Sequence, residues 1–119
     1  MTTKEIADRL VNFCRKADWA GAHNSLYARN AKSTEPYETP EFPKVTEGLE
    51  AIRKKGDRFD AMVEQLHSIE ISDPLVAGNA IAFRMEMDMT MKGKGRMKSP
   101  ELCVYQVEDG KIISEEFFV

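Results

Sequence analysis

The sequence predicts a single α+β domain in which helices pack against a curved antiparallel sheet. Apolar residues recur at helical spacing in the first half of the chain. In the second half they alternate with polar residues, as is typical of strands. Helices and strands that occupy separate parts of a chain favour an α+β fold. The chain has 119 residues, 42% of them hydrophobic, which is enough for one core and one domain over residues 1–119.

Two helices are predicted at the start of the chain. Residues 3–17 carry a single apolar stripe, and Thr3 is the predicted cap of this helix. Asp18 can begin a second helix, on which apolar residues again share one face. This second helix is expected to end near residues 28–30. Because each helix has one apolar face, both are expected to pack against the rest of the domain.

A loop and a third helix follow. Three prolines fall within residues 36–44, which are predicted to form a loop because proline removes a backbone donor. The sequence Thr46-Glu-Gly-Leu-Glu is close to a capping pattern, so Thr46 is the predicted cap of the third helix. Leu49, Phe59 and Met62 continue its apolar face.

The second half of the chain predicts three or four long antiparallel strands. In the first, alternation places His67 on the same face as Ile69 and Ile71. The next has the clearest alternation in the chain, and its apolar face carries Ile81, Phe83, Met85, Met87, Met89 and Met91. Strands over 101–107 and 112–119 flank a tight hairpin turn at Asp109-Gly110.

Composition and cysteine usage exclude several classes of protein. The net charge of −3 and the sequence pI of about 5.4 argue against nucleic-acid binding. Two cysteines outside any CxxC pair are too few for a disulfide framework, and no Cys/His cluster predicts a metal site. No glycine-rich phosphate loop is present, so no cofactor is expected. Charges interrupt every apolar run, so no signal peptide or membrane span is predicted and a cytoplasmic location is expected.

Four segments of the chain resemble the SnoaL-like family of the nuclear-transport-factor-2-like superfamily, which has a cystatin-like fold. They read LYARNAKSTEP, EGLEAIRKKGDRF, AGNAIAFRMEMDMT and VYQVEDGKIISEEFF. The resemblance implies a cone-shaped α+β barrel with a deep apolar pocket, and a homodimer formed through the outer surface of the sheet. It does not name an activity, because the superfamily includes ketosteroid isomerases, polyketide cyclases, hydrolases, dehydratases and non-catalytic binding proteins.

The same resemblance implies candidate catalytic residues. In the ketosteroid isomerases an acidic general base stands immediately before a proline, and Glu35 before Pro36 matches that position. The first helix has no counterpart of their oxyanion-hole Tyr. The position of their protonated Asp falls on Cys103, and Glu101 lies two residues earlier on the same strand face. A standard steroid isomerase site is therefore absent.

Two further side chains are candidates from their predicted strand faces. An inward-facing His67 could form an acid–base dyad with Glu35 or Glu101, or it could be a hydrogen-bonded core histidine. Glu115 is also predicted to face inward, where a carboxylate costs free energy unless it is paired. The alternative for Glu115 is a carboxylate at the sheet edge paired with a lysine or arginine.

The excess of methionine predicts an adaptable cavity wall. Five of the seven methionines fall between Met85 and Met97. Methionine is flexible and polarisable, so it fits irregular ligands well. Plain core packing is the alternative, and it is favoured for Met89 and Met91. The resemblance implies that Phe83, Met85 and Met87 match the family's pocket-facing positions on this strand. Ligand contacts are therefore predicted for Trp19, Phe83, Met85, Met87, Cys103, Glu115 and Phe117.

The leading hypothesis for function is a cofactor-independent isomerase, cyclase or hydratase that acts on a small apolar, carbonyl-bearing molecule. Its predicted catalytic residues are Glu35, His67 and Glu101, where Glu35 moves a proton and the others orient it or donate to the developing oxyanion. Two alternatives stay open: a small-molecule binding protein that uses the same pocket without turnover, and a dimerisation module.

Overall fold

The fold combines three helices with one seven-stranded sheet, and the computed structural model describes all of residues 1–119. The helices are α1 (Thr3–Arg15), α2 (Trp19–Leu26) and α3 (Leu49–Met62). The strands are β1 (Tyr27–Thr34), β2 (Val45–Glu47), β3 (Val63–Ile71), β4 (Leu75–Ala77), β5 (Ala80–Met91), β6 (Gly95–Glu108) and β7 (Lys111–Phe118). The predicted α+β class is confirmed. None of the three helices has the length and apolar character needed to cross a membrane.

Local hydrogen bonds explain where the first two helices begin. The cap of α1 is Thr2 rather than the predicted Thr3: its Oγ1 accepts from the Glu5 N–H at 3.1 Å, and the Glu5 carboxylate accepts from the Thr2 N–H at 3.1 Å. This reciprocal pair satisfies two otherwise free donors. Asp18 caps α2 as predicted, by accepting from the Gly21 N–H at 2.9 Å.

The second helix is shorter than predicted, because the residues after Leu26 form a strand that pairs within the sheet. Residues 27–34 form β1, which runs parallel to β7 and antiparallel to β2. Thr46, the predicted helix cap, lies in β2 instead, so that prediction is wrong. Gly48 precedes α3 with a φ of +93° and makes no side-chain cap. Glycine suits this turn because it adopts a positive φ at little cost.

The sheet is mixed rather than wholly antiparallel. Its strand order is β2-β1-β7-β6-β5-β3, with β4 paired to β5, and only the β1–β7 pair is parallel. Helices and sheet share one apolar core, and its fully buried members include Ile6, Leu10, Leu26, Ile52, Ile81 and Ile112. The interior strand β7 contributes Ile112 to this core and carries the buried Glu115.

Strand β5 agrees with its predicted pattern, and β6 contains the predicted strand but is longer. In β5 the predicted apolar face is buried or half-buried along its whole length. β6 begins at Gly95, earlier than predicted, and pairs with β5 over twelve positions from Ala80↔Gln106 to Met91↔Gly95. The predicted turn at Asp109-Gly110 has positive φ values of 51° and 74°, which match the right-handed twist of a two-residue hairpin.

The predicted inward orientation of His67 on β3 is wrong, whereas Ile69 and Ile71 of the same predicted face pack against the core. The register with β5 shifts twice, between Val63 and Gln65 and between Leu66 and Ser68. Each bulge adds a residue with no partner and breaks the simple alternation of faces. His67 lies at the second bulge; it is exposed, and its Nε2 lies 2.7 Å from the Thr90 Oγ1.

Candidate functional site

A cavity of about 360 Å³ lies where the helices meet the sheet. All three helices and strands β5, β6 and β7 contribute to its lining, which is mainly hydrophobic. The loop over residues 36–44 also contributes Pro36, Tyr37, Thr39 and Phe42. The Glu35 N–H donates to the Lys44 carbonyl at 2.7 Å, so the two ends of this loop are tied together at its base. Apolar cavities of this size that contain a few polar groups are typical ligand sites.

One wall of the cavity is formed by the methionines of β5. Met85, Met87 and Met89 all line it, whereas Met91 does not. Trp19, Glu115 and Phe117, which the sequence assigned to the pocket, also line the cavity. Ligand contact by these side chains stays a prediction, but their position allows it.

The structure places Phe83 and Cys103 outside the cavity lining. They are register partners on β5 and β6 and are almost fully buried. The Phe83 ring stacks on Tyr105 with 5.4 Å between centroids, and both residues belong to the same core as Ile6 and Ala7 of α1. At this end of the strands the helical layer packs directly on the sheet, so both predicted ligand contacts are corrected to core residues.

Glu35 stands directly after β1 and faces Lys55 of α3. The Lys55 Nζ lies 3.3 Å from the Glu35 Oε1, and the two side chains are only 13% and 26% exposed, respectively. The same ammonium lies 5.8 Å from the centroid of the Phe117 ring, within the range of a cation–π contact. Lys55 therefore holds the Glu35 carboxylate at the cavity wall.

Glu115 is the centre of a buried hydrogen-bonded network. The Tyr27 hydroxyl donates to its Oε1, and the Ser33 hydroxyl donates to its Oε2 at 2.7 Å. The Lys55 Nζ donates to the Ser33 Oγ at 2.6 Å, so the network continues to Glu35. Glu115 lies on the central strand β7, so the alternative that placed it at a sheet edge is wrong. Burial and the adjacent Glu115 charge raise the pKa of Tyr27 well above its usual value.

Glu101 enters the cavity from β6 without a cationic partner. Burial is the main cause that raises its pKa to about 7, and the negative charge of Glu35 adds to the shift. The Cys103 thiol donates a weak hydrogen bond to it over 3.8 Å. Glu35 and Glu101 thus face one cavity, but Lys55 forms an ion pair only with Glu35 and lowers the pKa of Glu101 as the weakest of several influences. Carboxyl groups in such different environments can divide the roles of base and acid.

Two lining side chains were not singled out from the sequence. Burial is the main cause that lowers the pKa of His23, and the ring packs edge-on against Tyr27 at 4.8 Å. Burial also raises the pKa of Tyr105 well above its usual value, so its hydroxyl keeps its proton. Strand alternation could have identified Tyr105, since it shares a face with Glu101. No cluster of three or more His, Cys, Asp or Glu side chains is placed to hold a metal ion.

Several solved structures are similar to the chain. A protein from Mesorhizobium loti, provisionally named a SnoaL-like polyketide cyclase, is 32% identical with a TM-score of 0.92, and each chain is covered in full. A provisionally named isomerase from Bacillus subtilis is 20% identical with a TM-score of 0.76, over 98% of this chain and 88% of that one.

A protein from Catenulispora acidiphila with a ketosteroid isomerase-like fold was solved in complex with trimethylamine. It is 19% identical with a TM-score of 0.75, over 99% of this chain and 87% of that one. No curated protein matches the chain. The family model described as a SnoaL-like domain matches residues 1–119. The chain therefore belongs to the SnoaL-like family, whose fold also occurs in nuclear-transport-factor-2-like and ketosteroid isomerase-like proteins.

Proposed function

We propose that this protein is a cofactor-independent acid–base enzyme that acts on a small apolar, carbonyl-bearing molecule, as an isomerase, cyclase or hydratase does. One observation carries the proposal: Glu35 and Glu101 share an apolar cavity, and their environments differ. Only Glu35 forms an ion pair, whereas the raised pKa of Glu101, about 7, leaves about half of it protonated at neutral pH. Such a pair supplies a base and an acid at neutral pH.

In the proposed mechanism the Glu35 carboxylate removes a proton from the carbon next to the substrate carbonyl. The neutral Glu101 carboxyl donates a hydrogen bond to the enolate oxygen as its negative charge develops. The Tyr105 hydroxyl is a second donor in the same cavity. Lys55 positions Glu35 and keeps its carboxylate from rotating away. His67 is exposed on β3 and is left out of the proposed catalytic set.

A non-catalytic small-molecule binding protein is the second candidate. The Catenulispora acidiphila relative was solved with trimethylamine, and the apolar cavity here is large enough for a small molecule. In that case the same residues would bind a ligand without turnover. The binding candidate and the enzyme candidate differ in one measurable respect, which is proton exchange at the substrate.

The experiment that tests the proposal follows deuterium exchange next to the carbonyl of small cyclic ketones in D2O by NMR. We expect the protein-dependent rate to fall as pH rises through about 7, because the donor Glu101 then loses its proton. The Glu101→Gln variant cannot titrate, so this falling limb should disappear. Glu108→Gln, at an exposed position of the same strand, is the control and should keep it.

Absence of exchange with every ketone, while ketone resonances shift on binding, would contradict the enzyme and support the binding protein. A falling limb that persists in Glu101→Gln would remove Glu101 from the acid role. In each case the reference is the pH dependence of the wild-type exchange rate, measured in the same buffers.

We also propose that the protein is a homodimer that forms through the outer face of the sheet. Leu102 and Phe118 are register partners on β6 and β7, and both are about half exposed on that face. Sedimentation at micromolar concentration should give the mass of a dimer. Leu102→Lys should shift the measured mass toward the monomer, because burying the lysine charge in the interface costs free energy. A monomer in the wild type contradicts this.

A cytoplasmic location also stays a prediction, which cell fractionation can check.

A further inference from the structure

A second cavity of about 260 Å³ lies beside the first. Four side chains line both cavities, and they form the boundary between the two spaces. We call these four residues the partition: Trp19, Phe59, Met87 and Met89. Because these four residues belong to both linings, truncating one of their large side chains is expected to join the two spaces.

The second cavity differs chemically from the first. Its lining outside the partition comes mainly from the junction of α3 and β3, and it includes the exposed side chains of Asp60, Glu64 and Gln65, so this cavity is open to solvent. No lysine or arginine lines it. Burial and the nearby Asp57 raise the pKa of Asp60. Two carboxyl groups and an amide without a cation favour hydrogen-bond donors and disfavour anions.

The partition is built from adaptable parts. Met87 and Met89 are unbranched side chains that change shape at little cost. Trp19 is the first residue of α2, directly after the Asp18 cap, and it is only partly buried. Ala17, which precedes this cap with a φ of +54°, lines the second cavity. The turn between α1 and α2 therefore places Trp19 at the boundary.

We propose that the second cavity is a distal subsite for the same ligand, and that Trp19 limits how long a ligand the protein accepts. The ligand class is an elongated apolar ketone whose far end carries a hydroxyl or amino group. Its carbonyl end would occupy the first cavity, and its donor would reach Asp60 or Glu64. This inference rests on the proposed function only for the carbonyl end.

The test compares a six-carbon with a twelve-carbon methyl ketone, each with a hydroxyl at the far end. Binding is measured by quenching of Trp19, the single tryptophan, in the wild type, and by ligand NMR in all variants. We expect Trp19→Ala to improve binding of the long ketone by about tenfold or more, relative to the short one, because methylene groups then leave water. Phe117→Ala is the matched control, since Phe117 lines only the first cavity.

Several outcomes decide the proposal. An equal gain in Phe117→Ala, or an unchanged length preference in a folded Trp19→Ala, overturns it. If Trp19→Ala does not fold, Phe59→Ala is used instead, because Phe59 belongs to the partition and lies on α3. The same gain in binding of the long ketone is expected. In the Trp19→Ala background, replacing Asp60 and Glu64 together with alanine should also abolish the preference for the hydroxyl ketone over its unsubstituted analogue. If Trp19→Ala keeps the wild-type length preference while the wild type exchanges cyclic ketones, only the subsite is refuted. If the wild type binds no ketone at all, the proposed function is refuted.

Discussion

Glu35→Gln is expected to lower the rate of deuterium exchange in cyclic ketones by at least about 100-fold, the usual contribution of a positioned base. The amide keeps the size of the side chain but cannot accept the proton. Binding of the ketone should change little, because the apolar cavity wall is unaltered. Exchange rates by NMR and binding by ligand titration measure the two effects separately. Glu38→Gln, in the exposed loop that follows, is the matched control and should behave as the wild type.

The same variant has a second readout that needs no substrate. The charge of Glu35 helps to raise the pKa of Glu101 to about 7, so removing that charge should lower this pKa. The titration of the Glu101 side-chain carbon, followed by NMR, reports the shift directly. An unchanged exchange rate would remove Glu35 from the base role. An unchanged Glu101 titration would mean that the two carboxyl groups do not interact across the cavity.

Glu115→Ala is expected to lower the free energy of unfolding by about 3 kcal/mol, which is typical when one partner of a buried polar network is deleted. The hydroxyls of Tyr27 and Ser33 would lose their acceptor inside the protein. Urea denaturation measures the change. Glu116→Ala, the exposed neighbour on the opposite face of β7, should change stability by less than about 0.5 kcal/mol.

Glu115→Gln refines this expectation. The amide oxygen can still accept from Tyr27, but its NH2 group cannot accept from Ser33, so about half of the loss should remain. Equal stability of the Glu115→Ala and Glu116→Ala variants would show that the network does not stabilise the fold. A large loss of stability in Glu115→Ala alone would support a structural role for Glu115, as the acceptor that holds the Tyr27 and Ser33 hydroxyls.

The fold could be predicted where local pattern and long-range packing agree. The methionine strand β5 and the Asp109-Gly110 hairpin are correct, because alternation and turn chemistry act between near neighbours. Strand β1 was missed, because its parallel pairing with β7 joins residues about 80 positions apart and overrides local propensity. The orientation of His67 failed because nothing in the sequence marks the two bulges of β3.

The candidate site could be predicted only in part from the sequence. Glu35 and Glu101 came from a family resemblance and from strand alternation. Phe83 and Cys103 were assigned to the cavity because they match family positions on their strands, but neither that match nor strand alternation gives the depth at which the helices separate from the sheet. Lys55 was missed because a lysine on an amphipathic helix looks like any solvated charge until α3 is placed against β1.

The central position of β7 also has a consequence for synthesis of the protein. In the sheet, β7 is the sole bridge between the β2-β1 pair and the β6-β5-β3 block. On the ribosome, β1 and β2 emerge early and must wait for β7 before they can join the rest of the sheet. Such distant pairings slow folding. The nascent chain therefore holds the β2-β1 pair apart from the rest of the sheet, and the cavity is complete only when β7 is inserted.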